Sequence, residues 1–142
     1  MSPGRRPAVL LDRDGTLVDN QGFLGDPEGV VLLPGAAAAL ERLARAGYLL
    51  VVVTNQSAVA RGLFTCAEVE AVHRRIDRET GGVIDRFYYC PHHPEIGEPP
   101  WRRACRCRKP APGLVERALA DLDIDPALSF CVGDQARDLE SC

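Results

Sequence analysis

The chain reads as an α/β protein, a parallel sheet with helices on both faces. Three observations predict this. Strand-like and helix-like patterns alternate along the whole length. The strand-like runs, residues 49–53 above all, are apolar at every position, as a strand covered on both faces must be. The runs also end in polar residues, Asp12, Thr54 and Asp134, at the edge where parallel sheets carry their chemistry.

The elements follow in order. Residues 8–11 form the first strand, a run of Ala, Val and Leu that stops at Asp12. Pro34 opens a helix over 36–45, closed by Gly47, with Pro early and Gly late. Residues 48–53 form the second strand. Thr65 and Glu68 have capping-box spacing and open a helix to about residue 79, stopped by Gly81 and Gly82. Residues 83–89 form the third strand. A loop rich in Pro, Gly and Cys runs from 90 to 110. A helix covers 112–122, and a fourth strand covers 128–132, ending at Gly133 and Asp134. A helix starting near Gln135 has too few residues before Cys142 to be stable alone.

At 142 residues the chain is one domain, without repeats, low-complexity tracts or linkers. A net charge of −3 gives no electrostatic reason to expect a nucleic-acid partner. Residues 1–7 are basic at Arg5 and Arg6, but no apolar stretch of leader length follows them. No run can span a bilayer. The expectation is a cytoplasmic monomer acting on a small molecule. In that compartment six cysteines point to metal or free thiols before disulfides.

The chemistry concentrates at the strand ends. In extended backbone alternate side chains share a face, so Asp12 and Asp14 look into one site. Two adjacent anions repel, and a divalent cation is their natural companion. The second strand ends in Thr54, Asn55, Gln56 and Ser57. Arg108 and Lys109 precede the next helix, and Asp134 and Asp138 follow the fourth strand. Carboxylates, a hydroxyl, amides and cations are what phosphoryl transfer requires.

A second metal signal lies in the loop. Cys90-x-His92 and Cys105-x-Cys107 are two tight pairs with residues 93–104 between them. Four such ligands suit a closed tetrahedral Zn²⁺ site, which leaves no position for catalysis and is therefore structural. His93 offers an alternative imidazole. A nucleic-acid zinc finger is a poor match, because residues 112–125 are mixed and acidic rather than basic.

Taken in order, the motifs resemble those of the haloacid dehalogenase-type phosphatases: Asp12-Arg13-Asp14-Gly15-Thr16, Thr54, Lys109, and Gly133-Asp134 with Asp138. Val51-Val52-Val53-Thr54-Asn55-Gln56-Ser57, Ala60-Arg61-Gly62, Tyr88-Tyr89-Cys90-Pro91-His92-His93-Pro94 and Cys105-Arg106-Cys107-Arg108-Lys109-Pro110 sharpen the likeness to the heptose bisphosphate phosphatase and histidinol phosphatase group. The resemblance implies a Rossmann-like sheet without a large cap. It implies that Asp12 is the nucleophile and forms an aspartyl-phosphate, and that Asp14 is acid and then base. Mg²⁺ would be held by the Asp12 carboxylate, the Asp14 carbonyl and Asp134. Thr54 and Lys109 would hold the transferring phosphoryl group, and Asp138 would orient Lys109 or a metal-bound water. Asn20, Gln21, Gly22 and Phe23 match a substrate loop; Asn55, Gln56, Ser57 and Arg108 complete the substrate set. His92 is the favoured fourth zinc ligand.

The implied substrate is a phosphorylated sugar, the 7-phosphate of D-glycero-D-manno-heptose 1,7-bisphosphate, with histidinol phosphate as the alternative. Members of the family continue for roughly a further strand and one or two helices. The expectation is therefore that a C-terminal strand and helices are missing, that the fourth strand is an exposed edge, and that stability is reduced. A catalytically weak, zinc-stabilised fragment is the non-enzymatic alternative. Cys131 reads as a core strand residue, Cys66 and Cys142 as bland, and His73, between charged neighbours, as solvated. Arg13 belongs to the motif without a derived role.

Overall fold

The computed structural model describes residues 5–142. The reading of residues 1–4 as free of a leader lies outside the described residues. Four strands form one sheet in the order β3-β2-β1-β4, with every neighbouring pair parallel. They are β1 (Ala8–Leu11), β2 (Leu49–Asn55), β3 (Arg86–Cys90) and β4 (Phe130–Val132). The helices are α1 (Ala36–Arg45), α2 (Cys66–Glu79), α3 (Gly113–Asp121) and α4 (Ala136–Glu140).

Period-two alternation in the central strands builds two cores. Val9, Leu11, Leu50 and Val52 face one side with Leu40 of α1 and Val72 and Ile76 of α2. Ala8, Leu10, Leu49, Val51 and Val53 face the other with Leu114, Val115 and Ala118 of α3. Every residue of β1 is buried, and so are the first six of β2. Continuous apolar runs thus became central strands, as their composition required.

Several boundaries differ from expectation, three of them with a visible cause. β2 runs on to Asn55, because Thr54 and Asn55 pair with Tyr89 and Cys90. β3 starts at Arg86, not residue 83: the Asp85 carboxylate accepts from the Leu50 N–H at 2.8 Å, and Ile84 N–H donates to Asp77. Residues 126–128 form a 3₁₀ turn under an Asp125 cap, so β4 is shorter than expected. The short α4 forms because it is not alone. Its Asp138 is buried and tied to Lys109 by an ion pair, and Gln135 and Asp138 make a reciprocal cap.

β4 is an edge strand, with Phe130 and Val132 largely exposed. Cys131 is half-buried and is joined by a disulfide to Cys142, which corrects the reading of Cys131 as a core strand residue and of Cys142 as bland. α4 folds the chain back so that their Cα atoms lie 6.7 Å apart, a proximity that no spacing rule exposes. Among the described residues no helix is long and apolar enough to cross a membrane.

Candidate active site

The C-terminal ends of β1, β2 and β4 and the approach to α3 meet around a cleft of about 230 Å³. Asp12 follows β1 directly, its N–H bonded to the carbonyl of Val132 on β4. The chain then turns sharply, with Thr16, Leu17 and Val18 all donating to the Arg13 carbonyl. Gly15 sits in this turn at φ +85°, and a Cβ there would collide with the Asp134 carboxylate. The acid from β4 therefore presses against the loop from β1, a contact only glycine permits.

Lys109 is the hub. Its Nζ donates to Asp12 Oδ1 at 3.1 Å, to Asp138 Oδ1 at 2.6 Å and to the Val53 carbonyl at 2.7 Å. All three hydrogens of the ammonium are used. Asn55 fixes the backbone beneath it: its Oδ1 accepts from Lys109 N–H, and its Nδ2 donates to the Lys109 carbonyl. Sequence reasoning placed Asn55 against substrate. It lines the cleft, but both ends of its amide are committed to Lys109. Burial, chiefly, raises the Asp12 carboxyl to a pKa of about 6, opposed by the Lys109 charge and helped by that of Asp138.

Carboxylate oxygens of Asp12, Asp134 and Asp138 lie within 4.8 Å of one another. This hard-oxygen set fits a divalent cation such as Mg²⁺. Asp138 is already engaged by Lys109 and by the N–H of Gln135, leaving Asp12 and Asp134 the freer pair. The Asp14 carboxylate does not join them. It accepts from Arg13 Nε and Nη2, each at 3.1 Å, and from Gln56 Nε2 at 3.1 Å. Gln56 also donates to Thr54 Oγ1 at 2.9 Å, tying the hydroxyl and the acid into one network.

Asn20, Gly22 and Phe23 line the cleft with Ser57 and Arg108. Gln21 does not: its amide turns back to the Gly29 carbonyl at 2.7 Å. Arg61 and Arg137 line the cleft without having been singled out, and the Arg61 guanidinium lies 5.3 Å over the Phe23 ring. Arg61 sits in the Ala60-Arg61-Gly62 string, the one signal that could have marked it.

His73 is not solvated. It is 4% exposed, stacks on Phe87 at 4.5 Å and meets Arg13 Nη1 at 3.2 Å. Arg13 itself is 1% exposed, a buried fork aimed at Asp14.

At the end of β3 and in the loop that follows it, Cys90, His92, Cys105 and Cys107 converge. Cys107 Sγ lies 2.8 Å from Cys90 Sγ, 3.3 Å from Cys105 Sγ and 3.4 Å from His92 Nδ1. A tetrahedron with metal–sulfur bonds of about 2.3 Å has edges of ~3.8 Å, so a closing ion would spread the cluster slightly, most between Cys90 and Cys107. His93 is spent elsewhere, its Nδ1 accepting from the N–H groups of Glu95 and Ile96.

The haloacid dehalogenase-like hydrolase family matches residues 22–142, and the chain belongs to it. It is a phosphoric monoester hydrolase of that family. Its relatives are more particular. The D-glycero-beta-D-manno-heptose-1,7-bisphosphate 7-phosphatase of Haemophilus ducreyi is 43% identical over 138 residues, covering 94% of this chain and 75% of that protein. The enzyme of the same name from Escherichia coli K12 is 40% identical, covering 95% and 72%. The crystal structure of D,D-heptose 1,7-bisphosphate phosphatase from B. bronchiseptica, complexed with magnesium and phosphate, superposes with a TM-score of 0.83 at 35% identity. It covers 95% of this chain and 74% of that one.

Proposed function

We propose that the chain hydrolyses the 7-phosphate of D-glycero-D-manno-heptose 1,7-bisphosphate, with Asp12 as nucleophile. The observation that carries this is the Lys109 ammonium on Asp12 Oδ1, with the Asp134 carboxylate close by. One Asp12 oxygen is held by the cation, and the other is left to attack phosphorus. Two similarities support the substrate: that of the sequence to the named 7-phosphatases, and that of the fold to the phosphate complex.

In the first step Asp12 Oδ2 bonds to phosphorus as the bond to the sugar oxygen breaks. Asp14, open to the cleft, gives that oxygen its proton. In the second step Asp14 takes a proton from water as the water oxygen attacks phosphorus, releasing inorganic phosphate and free Asp12. Lys109, turning to the ester the hydrogen it gives Asp12, and the Thr54 hydroxyl hold the phosphoryl oxygens, and Arg108 meets the remainder of the substrate. Mg²⁺, held by Asp12, Asp134 and the Asp14 carbonyl, would supply charge neutralisation for the phosphoryl group. Zn²⁺ on Cys90, His92, Cys105 and Cys107 would tie the loop that presents Arg108 and Lys109.

Phosphate release from heptose 1,7-bisphosphate and from histidinol phosphate, side by side with and without Mg²⁺, tests this. The expected result is Mg²⁺-dependent release with the heptose ester preferred. Preference for histidinol phosphate overturns the substrate, and release from neither overturns the activity.

A further inference from the structure

The buried side of the β1 loop holds two large polar groups that the reaction steps leave unused, Arg13 and His73. They lie 60 residues apart in sequence, and their side chains meet inside the first core. Arg13 presents Nε and Nη2 to the two oxygens of Asp14, a fork-to-fork pairing with both distances 3.1 Å. Its remaining nitrogen, Nη1, faces His73 Nε2 at 3.2 Å.

A guanidinium has only donors, so Nε2 must be the acceptor and the imidazole proton must sit on Nδ1. His73 is suited to that state. Burial, and after it the Arg13 charge, lowers its pKa to about 3, so it stays neutral. The ring is also fixed in place. It stacks on Phe87 with planes 13° apart and meets the edge of Tyr89 at 5.6 Å. α2 and β3 thus supply a rigid acceptor at the back of the fork.

A neutral acceptor matters here. A carboxylate at position 73 would compete with Asp14 for the guanidinium charge, and an apolar residue would leave a buried N–H unpaired. Histidine satisfies the fork while leaving its charge to Asp14.

We propose that His73 is a positioning residue: through Arg13 it holds the Asp14 carboxylate in the orientation from which a proton reaches the leaving oxygen. This rests on the reading of Asp14 as general acid. That orientation matters for an alkyl ester, whose leaving oxygen must be protonated. It matters far less for p-nitrophenyl phosphate, whose leaving group departs as a stable anion.

The test compares heptose 1,7-bisphosphate and p-nitrophenyl phosphate as substrates of the Mg²⁺-loaded wild type, His73→Ala and His73→Gln. For His73→Ala the expected result is a fall in kcat of about tenfold or more on the heptose ester. On that ester KM should hold within about twofold, and the first-turnover release of p-nitrophenolate, which precedes the step in which Asp14 acts as base, should hold within the same factor. His73→Gln offers Arg13 an amide oxygen and should recover most of the loss. If His73→Ala does not fold, His73→Phe keeps the stack on Phe87 without an acceptor and carries the same comparison. Equal loss in first-turnover cleavage of both esters, or no loss on either, overturns the proposal. A wild type that hydrolyses p-nitrophenyl phosphate but not the heptose ester overturns the substrate instead, and one that hydrolyses neither overturns the functional reading and this inference with it.

Discussion

Lys109 Nζ and Asp138 Oδ1 meet at 2.6 Å, with both side chains almost wholly withdrawn from water. The same ammonium reaches Asp12, so one buried cation lies between two carboxylates from opposite ends of the chain. Lys109→Met leaves those acids facing each other with no countercharge. Breaking a buried pair costs about 3–5 kcal/mol, and losing a donor to the phosphoryl oxygens lowers kcat by about 10²–10³. Urea unfolding and phosphate-release kinetics should show both losses. Turnover within tenfold of wild type contradicts the role given to Lys109.

Gly15 governs the approach of Asp134. Gly15→Ala places a Cβ where the Asp134 carboxylate lies and forces an L-residue to φ +85°. The strain is worth roughly 1–2 kcal/mol. The larger effect should fall on the cation. The Mg²⁺ concentration for half-maximal activity should rise about tenfold or more, since one ligand carboxylate must move. An unchanged Mg²⁺ requirement argues against Asp134 as a ligand.

Zinc removal separates the two metals. The chain should carry about one zinc per molecule, measured by elemental analysis. Chelation, or Cys107→Ser, should lower Tm by roughly 10 °C or more, because structural zinc contributes folding energy directly. Turnover should fall with the loop that carries Lys109, and added Mg²⁺ should not restore it. A chelated protein with the wild-type Tm contradicts a structural site.

Acid stability reports on His73. Its folded pKa of about 3 lies below the ordinary 6.5, so the unfolded chain binds the extra proton between those values. Above pH 6.5 the residue has no pH effect. As pH falls from there towards 3, it removes stability at up to about 1.4 kcal/mol per pH unit. His73→Gln should flatten that part of the profile in denaturant titrations, while an unaltered slope would mean that the imidazole titrates freely.

The sheet and the polar strand ends that line the cleft were legible because each rests on local pattern. Leu10 and Leu11 before Asp12, and residues 49–53 before Thr54, could only be buried strands delivering polar residues to one edge. Asp138 was expected to orient Lys109 or a metal-bound water, and its carboxylate meets the Lys109 ammonium. His73 was misread through its charged neighbour Arg74. It stands four residues after Val69 and three before Ile76, on the buried face of α2, and that spacing was the better guide. Asn55 and Gln21 were polar residues in the right segments whose partners are backbone groups, which no motif specifies. The Cys131–Cys142 link depends on how α4 turns back and could not be read from spacing.

The most direct measurement is the phosphoenzyme itself. Wild-type protein with Mg²⁺ and heptose 1,7-bisphosphate, quenched in acid during turnover, should carry one hydroxylamine-sensitive phosphate mapping by mass spectrometry to the peptide containing Asp12. Asp12→Asn should carry none and release no phosphate, while keeping its fold and its zinc. A phosphate on another residue, or turnover retained by Asp12→Asn, would contradict the account.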